Sequence, residues 1–154
     1  MKKILIFFLL ALWFAFPGPV LAITISPTPS IDYQLPYPGI LPDSPFYILK
    51  IIRDKGLGFF ISNPLKKAEY SISMADVRMA AAIALAEHKN KSPLAKETIF
   101  KAQKYLEEAG ADIRMAKAQG LGTQHLVKRL NQANHKHQEV VRRIEKKINK
   151  DGSI

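Results

Sequence analysis

The sequence predicts an all-α fold: an elongated antiparallel three-helix bundle with a short additional N-terminal helix, placed after a signal peptide and a proline-rich spacer. Three observations predict it. Apolar residues step by three and four through three long segments; a capping residue followed by proline opens successive helices; and no segment alternates with period two for long enough to make a strand.

The chain opens with Met1-Lys2-Lys3, an apolar run from Ile4 to Phe16, the breaker Pro17-Gly18-Pro19, and Val20-Leu21-Ala22. A basic start, a short apolar stretch and a small-residue cleavage site read as a signal peptide over 1–22, cut after Ala22. The run is shorter than the roughly 20 residues that span a bilayer. Left uncut, residues 4–16 would act as a membrane anchor. Either way the remainder is expected outside the cytosol, secreted, periplasmic or at the cell surface.

Eight of the ten prolines precede Phe46, so residues 23–43 read as an extended linker. Repeated proline removes backbone donors and fixes φ. A helical domain is expected over 44–150, with helices at about 45–55, 64–89, 93–119 and 124–150 and a tail at 151–154. Ser44-Pro45, Asn63-Pro64 and Ser92-Pro93 mark three starts, and Gly120-Leu121-Gly122 before Thr123 marks the fourth. The first helix places Phe46, Leu49 and Ile52 or Arg53 on one side, and Lys55-Gly56-Leu57-Gly58 should bend or interrupt it. Phe59, Phe60 and Ile61 should then form an apolar plug.

The long helices carry the pattern. Leu65, Ala68, Ile72, Ala75, Met79, Ala82 and Ala86 form one stripe, and Ala95, Ile99, Ala102, Leu106, Ala109, Ile113 and Ala116 a second. Leu126, Leu130, Ala133, His137, Val140 and Ile144 form a third. A seven-residue repeat keeps each stripe against a partner helix. Short joints make neighbours antiparallel. The alanine-rich faces would also permit a homo-oligomer.

Composition narrows the chemistry. There is no cysteine, so neither disulfide nor thiol chemistry is available. The sequence has no HExxH, no phosphate-binding glycine loop and no Gly-x-Ser-x-Gly elbow. Glu69, Asp76, Glu87 and Asp112 are scattered among basic residues and read as surface charge. No enzyme is expected, no cofactor and no resident metal. His88, His125, His135 and His137 are available for a metal- or stress-sensing role, but none are three or four apart, the spacing that lets a helix chelate. His137 lies on the apolar stripe and reads as a hydrogen-bonded interior histidine.

Charge is the stronger signal. The formal charge is +10, and loss of Lys2 and Lys3 with the signal leaves +8. Lys128, Arg129, Lys136, Arg142, Arg143, Lys146, Lys147 and Lys150 lie on the last helix, opposed there by Glu139 and Glu145. This stripe is a candidate surface for wall polymer or phospholipid, set against a plain solvated face. Nucleic acid is disfavoured by export and by the lack of aromatic residues between the cations.

Pro38-Gly39-Ile40-Leu41-Pro42-Asp43-Ser44-Pro45-Phe46-Tyr47, and then Asn63-Pro64-Leu65-Lys66-Lys67-Ala68-Glu69, resemble an uncharacterised bacterial exported family with a PG-x-LPDSP-x-Y motif and a D/N-P-x-basic-basic-A-E helix start. The resemblance covers roughly Pro36 to Glu87. It implies a helical extracytoplasmic module and brings no catalytic residues. The motif itself reads as a turn and cap, with Phe46 and Tyr47 entering the core or its rim. The expected function is a non-enzymatic interaction or structural module of the cell envelope, contacting an envelope protein or an anionic surface.

Overall fold

The computed structural model describes residues 32–87 and 91–151. The signal peptide with Ala22, the first part of the linker, His88, and residues 152–154 of the tail lie outside the described residues. Residues 31–154 form one compact unit. It contains four helices, α1 (Tyr47–Phe59), α2 (Pro64–Glu87), α3 (Ser92–Ala118) and α4 (Gln124–Asp151), and no strand among the described residues. The fold is all-α, as the periodicity predicts.

Two core clusters show the direction of each helix. Ala68, Ile72 and Ala75 from the start of α2 meet Leu106, Ala109 and Ile113 late in α3 and Leu126 and Ala133 early in α4. Met79, Ala82, Leu85 and Ala86 from the end of α2 meet Ala95, Ile99 and Ala102 early in α3 and Val140 and Ile144 late in α4. The three long helices therefore alternate up and down. Alanine dominates α2 and α3, whose contact is the most extensive of any pair, because a methyl side chain lets two backbones approach closely.

Helix α2 is buried on more than its stripe. Asp76, Arg78, Ala80 and Ala81 are buried too. Helices α3 and α4, helix α1 and the segment before α1 all contact it, so α2 is the central helix and little of it meets water.

The helix ends follow local chemistry with two departures. The Asn63 side-chain oxygen accepts from the backbone N–H of Leu65 at 2.9 Å and of Lys66 at 3.2 Å, as a cap should. Gly120, at φ +75°, ends α3; the Leu121 N–H bonds the Ala116 carbonyl and the Gly120 N–H that of Lys117. This double closure needs a residue in the left-handed region, which glycine enters without strain. Ser92, however, is the first residue of α3 rather than its cap, and Lys91 precedes it without a side-chain capping bond. Ser44-Pro45 belongs to a turn, in which Tyr47 N–H bonds the Ser44 carbonyl, and α1 begins only at Tyr47.

Three further expectations are corrected. Helix α1 does not break at its glycines but runs through Gly56 and Gly58. A Cβ on Gly58 would stand 3.1 Å from the Tyr70 ring, so this glycine admits Tyr70 against the helix. Residues 32–43 are not a free linker: Tyr33 and Leu35 pack on the two core clusters, and Pro38 and Ile40 supply carbonyls to Lys50. Asp76 and Asp112 are not surface charges; both are at least nine-tenths buried, with Lys67 standing 3.8 Å from Asp112.

Candidate functional site

Helix α1 is amphipathic with its apolar side turned outward. Tyr47, Lys50 and Asp54 lie at i, i+3 and i+7, share one side of the helix, and are the residues it buries. Ile48, Leu49, Ile52, Phe59 and Phe60 point away and are 62 to 85 % exposed. Phe46 is exposed as well, so neither it nor the Phe59-Phe60 pair enters the core. Phe59 and Phe60 pack edge to face on each other, with ring centroids 5.7 Å apart.

The polar side turns inward because α2 presents a charge to it. Arg78 is 5 % exposed, its guanidinium donates to the Tyr47 hydroxyl, and it lies 5.4 Å from the Tyr47 ring and 5.9 Å from the Tyr105 ring. Asp54 Oδ2 faces it at 3.9 Å, while Asp54 Oδ1 accepts from Arg53 at 2.8 Å. The Tyr70 hydroxyl donates to the Asp54 backbone carbonyl. Lys50 donates to the Pro38 carbonyl at 2.6 Å and the Ile40 carbonyl at 3.3 Å. Burial, with Arg78 adding repulsion, holds the Lys50 ammonium below its usual range. Burial pushes the Tyr47 hydroxyl up, opposed by Arg78 and Lys101. The joint between α1 and the bundle is thus ionic, and it is what leaves the apolar residues outside.

Beside this joint, α1, α2 and α3 enclose a cleft of about 440 Å³ lined by Tyr47, Ile51, Lys55, Arg78, Lys101, Lys104, Tyr105 and Glu108. Its floor is tyrosine and isoleucine and its rim is mainly cationic. Lys101 pairs with Glu97 at 2.7 Å across a helical turn, an exposed pair worth a few tenths of a kcal/mol in such settings.

A second buried polar group sits between α2 and α4. His137 Nε2 lies 2.9 Å from Asp76 Oδ1, and the Tyr33 hydroxyl donates to Asp76 Oδ2 at 2.5 Å. His137 is an interior histidine with a carboxylate partner, at the stripe position its spacing suggests. Sealed from solvent, the pair holds elements together rather than meeting a substrate. Among the described residues no three His, Cys, Asp or Glu side chains converge as a metal site would require. His125 is exposed at the start of α4, and His135 is half-buried.

The cations predicted on the last helix are on α4. Lys128, Arg142, Arg143, Lys146, Lys147 and Lys150 are exposed, and Arg129 and Lys136 are half-buried. They do not form one uniform stripe. Arg129 reaches back to Ser73 at 3.0 Å and Glu69 at 3.6 Å on α2, Lys136 pairs with Glu139, and Arg142 donates to the Gln138 carbonyl.

Sequence reasoning missed Arg78, Asp54 and Lys50. The spacing of Tyr47, Lys50 and Asp54 was a usable signal, since it defines a polar side as coherent as the apolar one. Nothing local marks Arg78, which lies off the alanine stripe. No described helix is long and apolar enough to cross a membrane. No curated protein and no solved structure gives a significant match to the chain. A family model does match, over residues 39–151, from the LPDSP turn to the end of α4. The chain accordingly belongs to the family described as Domain of unknown function (DUF5667).

Proposed function

We propose that this protein is a non-enzymatic, extracytoplasmic interaction module of the cell envelope, resting on an anionic membrane surface through the outward side of α1. The observation that carries the reading is the inversion of α1, with Ile48, Leu49, Ile52 and Phe59 exposed on one side of the helix and Phe60 exposed just beyond it, while Lys50 and Asp54 are buried. A contiguous apolar patch of this kind marks an interaction surface.

Charge favours lipid as the partner. Arg53 and Lys55 flank the apolar side of α1, exposed Lys66 and Lys67 follow at the start of α2, and the whole chain carries +10. Amphipathic helices lie in the membrane interface when an apolar side is bordered by cations. Each cation held near an anionic leaflet contributes about 1 kcal/mol. The apolar run Ile4–Phe16 supports the reading too, since an export signal delivers the chain to a membrane.

The test is flotation of the chain from Ile23 onward, which contains the compact unit, with vesicles of phosphatidylglycerol and phosphatidylcholine. Wild type should float with the vesicles, and Ile52→Ser combined with Phe59→Ser should weaken binding at least about tenfold with no change in melting temperature. Absence of flotation, or equal flotation of both proteins, would refute the reading.

A second reading draws on α4. Lys128, Arg143, Lys146, Lys147 and Lys150 are exposed and have no ion pair among the described residues, which favours contact with an anionic wall polymer. Reversing Arg142, Arg143, Lys146 and Lys147 together should abolish salt-sensitive retention on such a polymer. Unchanged retention would dispose of it.

A further inference from the structure

We infer that the cleft between α1 and α3 holds the phosphate of an anionic phospholipid headgroup, drawn from the bilayer on which α1 rests. The inference builds on the membrane reading above and adds a defined site to it.

Position is the first argument. Ile51 and Lys55 line the cleft from α1, and the side chains next to them around the helix are Ile48, Ile52 and Phe59, all exposed. On the opposite wall Lys104 lines the cleft, and Phe100, one turn earlier on α3, is 68 % exposed. Apolar side chains therefore border the cleft on both sides. A helix lying in the interface with these residues among the acyl chains would hold the cleft at headgroup depth.

Charge is the second. Lys55, Arg78, Lys101 and Lys104 line the cleft with Glu108, and of these cations Lys101 also pairs with Glu97 and Arg78 faces Asp54. Lysine ammonium groups act as compact point charges for phosphate oxygens, and their flexible stems can follow a headgroup. The tyrosine and isoleucine floor suits the glycerol backbone, and about 440 Å³ falls within the range of small-molecule sites.

Arg78 adds a fixed charge to the cleft wall. A guanidinium carries five donors. Here one is given to the Tyr47 hydroxyl, the Asp54 carboxylate at 3.9 Å is beyond hydrogen-bond distance, and buried Nε has no partner in the protein. Arg78 is thus a fixed cation in the cleft wall whose hydrogen-bonding capacity the protein leaves partly unfilled. Its field acts through poorly screened surroundings on any anion held at the rim.

The experiment follows amide and tyrosine-ring resonances of the chain from Ile23 onward as monomeric dihexanoyl phosphatidylglycerol is added. Saturable shifts centred on Tyr47, Ile51 and Tyr105 are expected. Lys55→Gln with Lys104→Gln, both on exposed side chains, should weaken them at least about tenfold, while Lys96→Gln with Lys117→Gln, the same charge loss on exposed residues elsewhere on α3, should not. On vesicles, the Lys55/Lys104 variant should still bind, with a reduced preference for phosphatidylglycerol over phosphatidylcholine, since Arg53, Lys66 and Lys67 remain. Vesicle binding that persists without saturable shifts at the cleft, or shifts indifferent to Lys55 and Lys104, would overturn the site and leave the docking of α1 standing. Equal binding of inorganic phosphate would overturn the lipid assignment. Cleft shifts with soluble lipid but no vesicle flotation would support the site and overturn the membrane reading instead.

Discussion

Nε2 of His137 on α4 lies 2.9 Å from Oδ1 of Asp76 on α2, and each side chain is about 96 % buried. The pair falls where the two core clusters meet: Ala75 and Ala133 belong to one cluster, Met79 and Val140 to the other. Alanine-rich stripes of seven-residue period can pack in more than one register. A single buried polar pair removes that freedom, because sliding by a turn would strand both groups.

Replacing Asp76 by Ala removes the partner of both His137 and Tyr33. The expected loss is on the order of 3 kcal/mol by urea denaturation. Asp76→Leu with His137→Leu should recover the part of it due to His137, since only the half-buried Tyr33 hydroxyl is then left without its partner. Equal losses in the single and double variants would show that packing volume, not pairing, governs the site.

Tyr33 sets an alkaline limit on stability. Burial, helped by its hydrogen bond to Asp76, pushes its hydroxyl up to about 12. Unfolded tyrosine ionises near about 10. Between these values the unfolded chain has released a proton that the folded chain retains, so stability is full below about pH 10 and falls as pH rises toward about 12. Tyr47 and Tyr70 are raised by burial and act in the same direction. Lys50, lowered by burial, acts oppositely, because its folded form sheds a proton before the unfolded form does. Urea midpoints measured from about pH 9 to about pH 12 should fall, and Tyr33→Phe should flatten the fall.

The ionic joint under α1 predicts an asymmetry. Arg78→Met leaves Asp54 buried with only Arg53 beside it, and should cost on the order of 3 kcal/mol. Arg78→Met with Asp54→Leu should cost much less, with α1 then held by packing and by the Tyr70 hydroxyl on the residue-54 carbonyl. Thermal melts of the three proteins decide the matter. A double variant as unstable as Arg78→Met would mean that the Tyr47 and Tyr105 ring contacts to Arg78 matter more than its charge.

Gly120→Ala tests the end of α3. Open space surrounds the position, so the cost comes from φ +75° alone and should be about 1 kcal/mol. Gly56→Ala, inside α1 with no atom within 4 Å of an added Cβ, should stabilise by about the same amount. Denaturation midpoints shifting in opposite directions would bear out both.

By itself the sequence determined the helices of the bundle and their order. Their stripes repeat every seven residues, and caps and glycines are local chemistry acting within a few positions. It also placed the α4 cations and put His137 on an interior stripe. What only the tertiary structure decided was which side of α1 faces in. Periodicity shows that a helix has two sides, and the apolar one is taken to be inside by default. Here a buried Arg78 on another helix offers Tyr47 and Asp54 more than water does, and the apolar residues are left outside. The same holds for Asp76 and for the segment around Tyr33. A carboxylate in the middle of a chain looks like surface charge until His137, sixty-one residues away, arrives beside it.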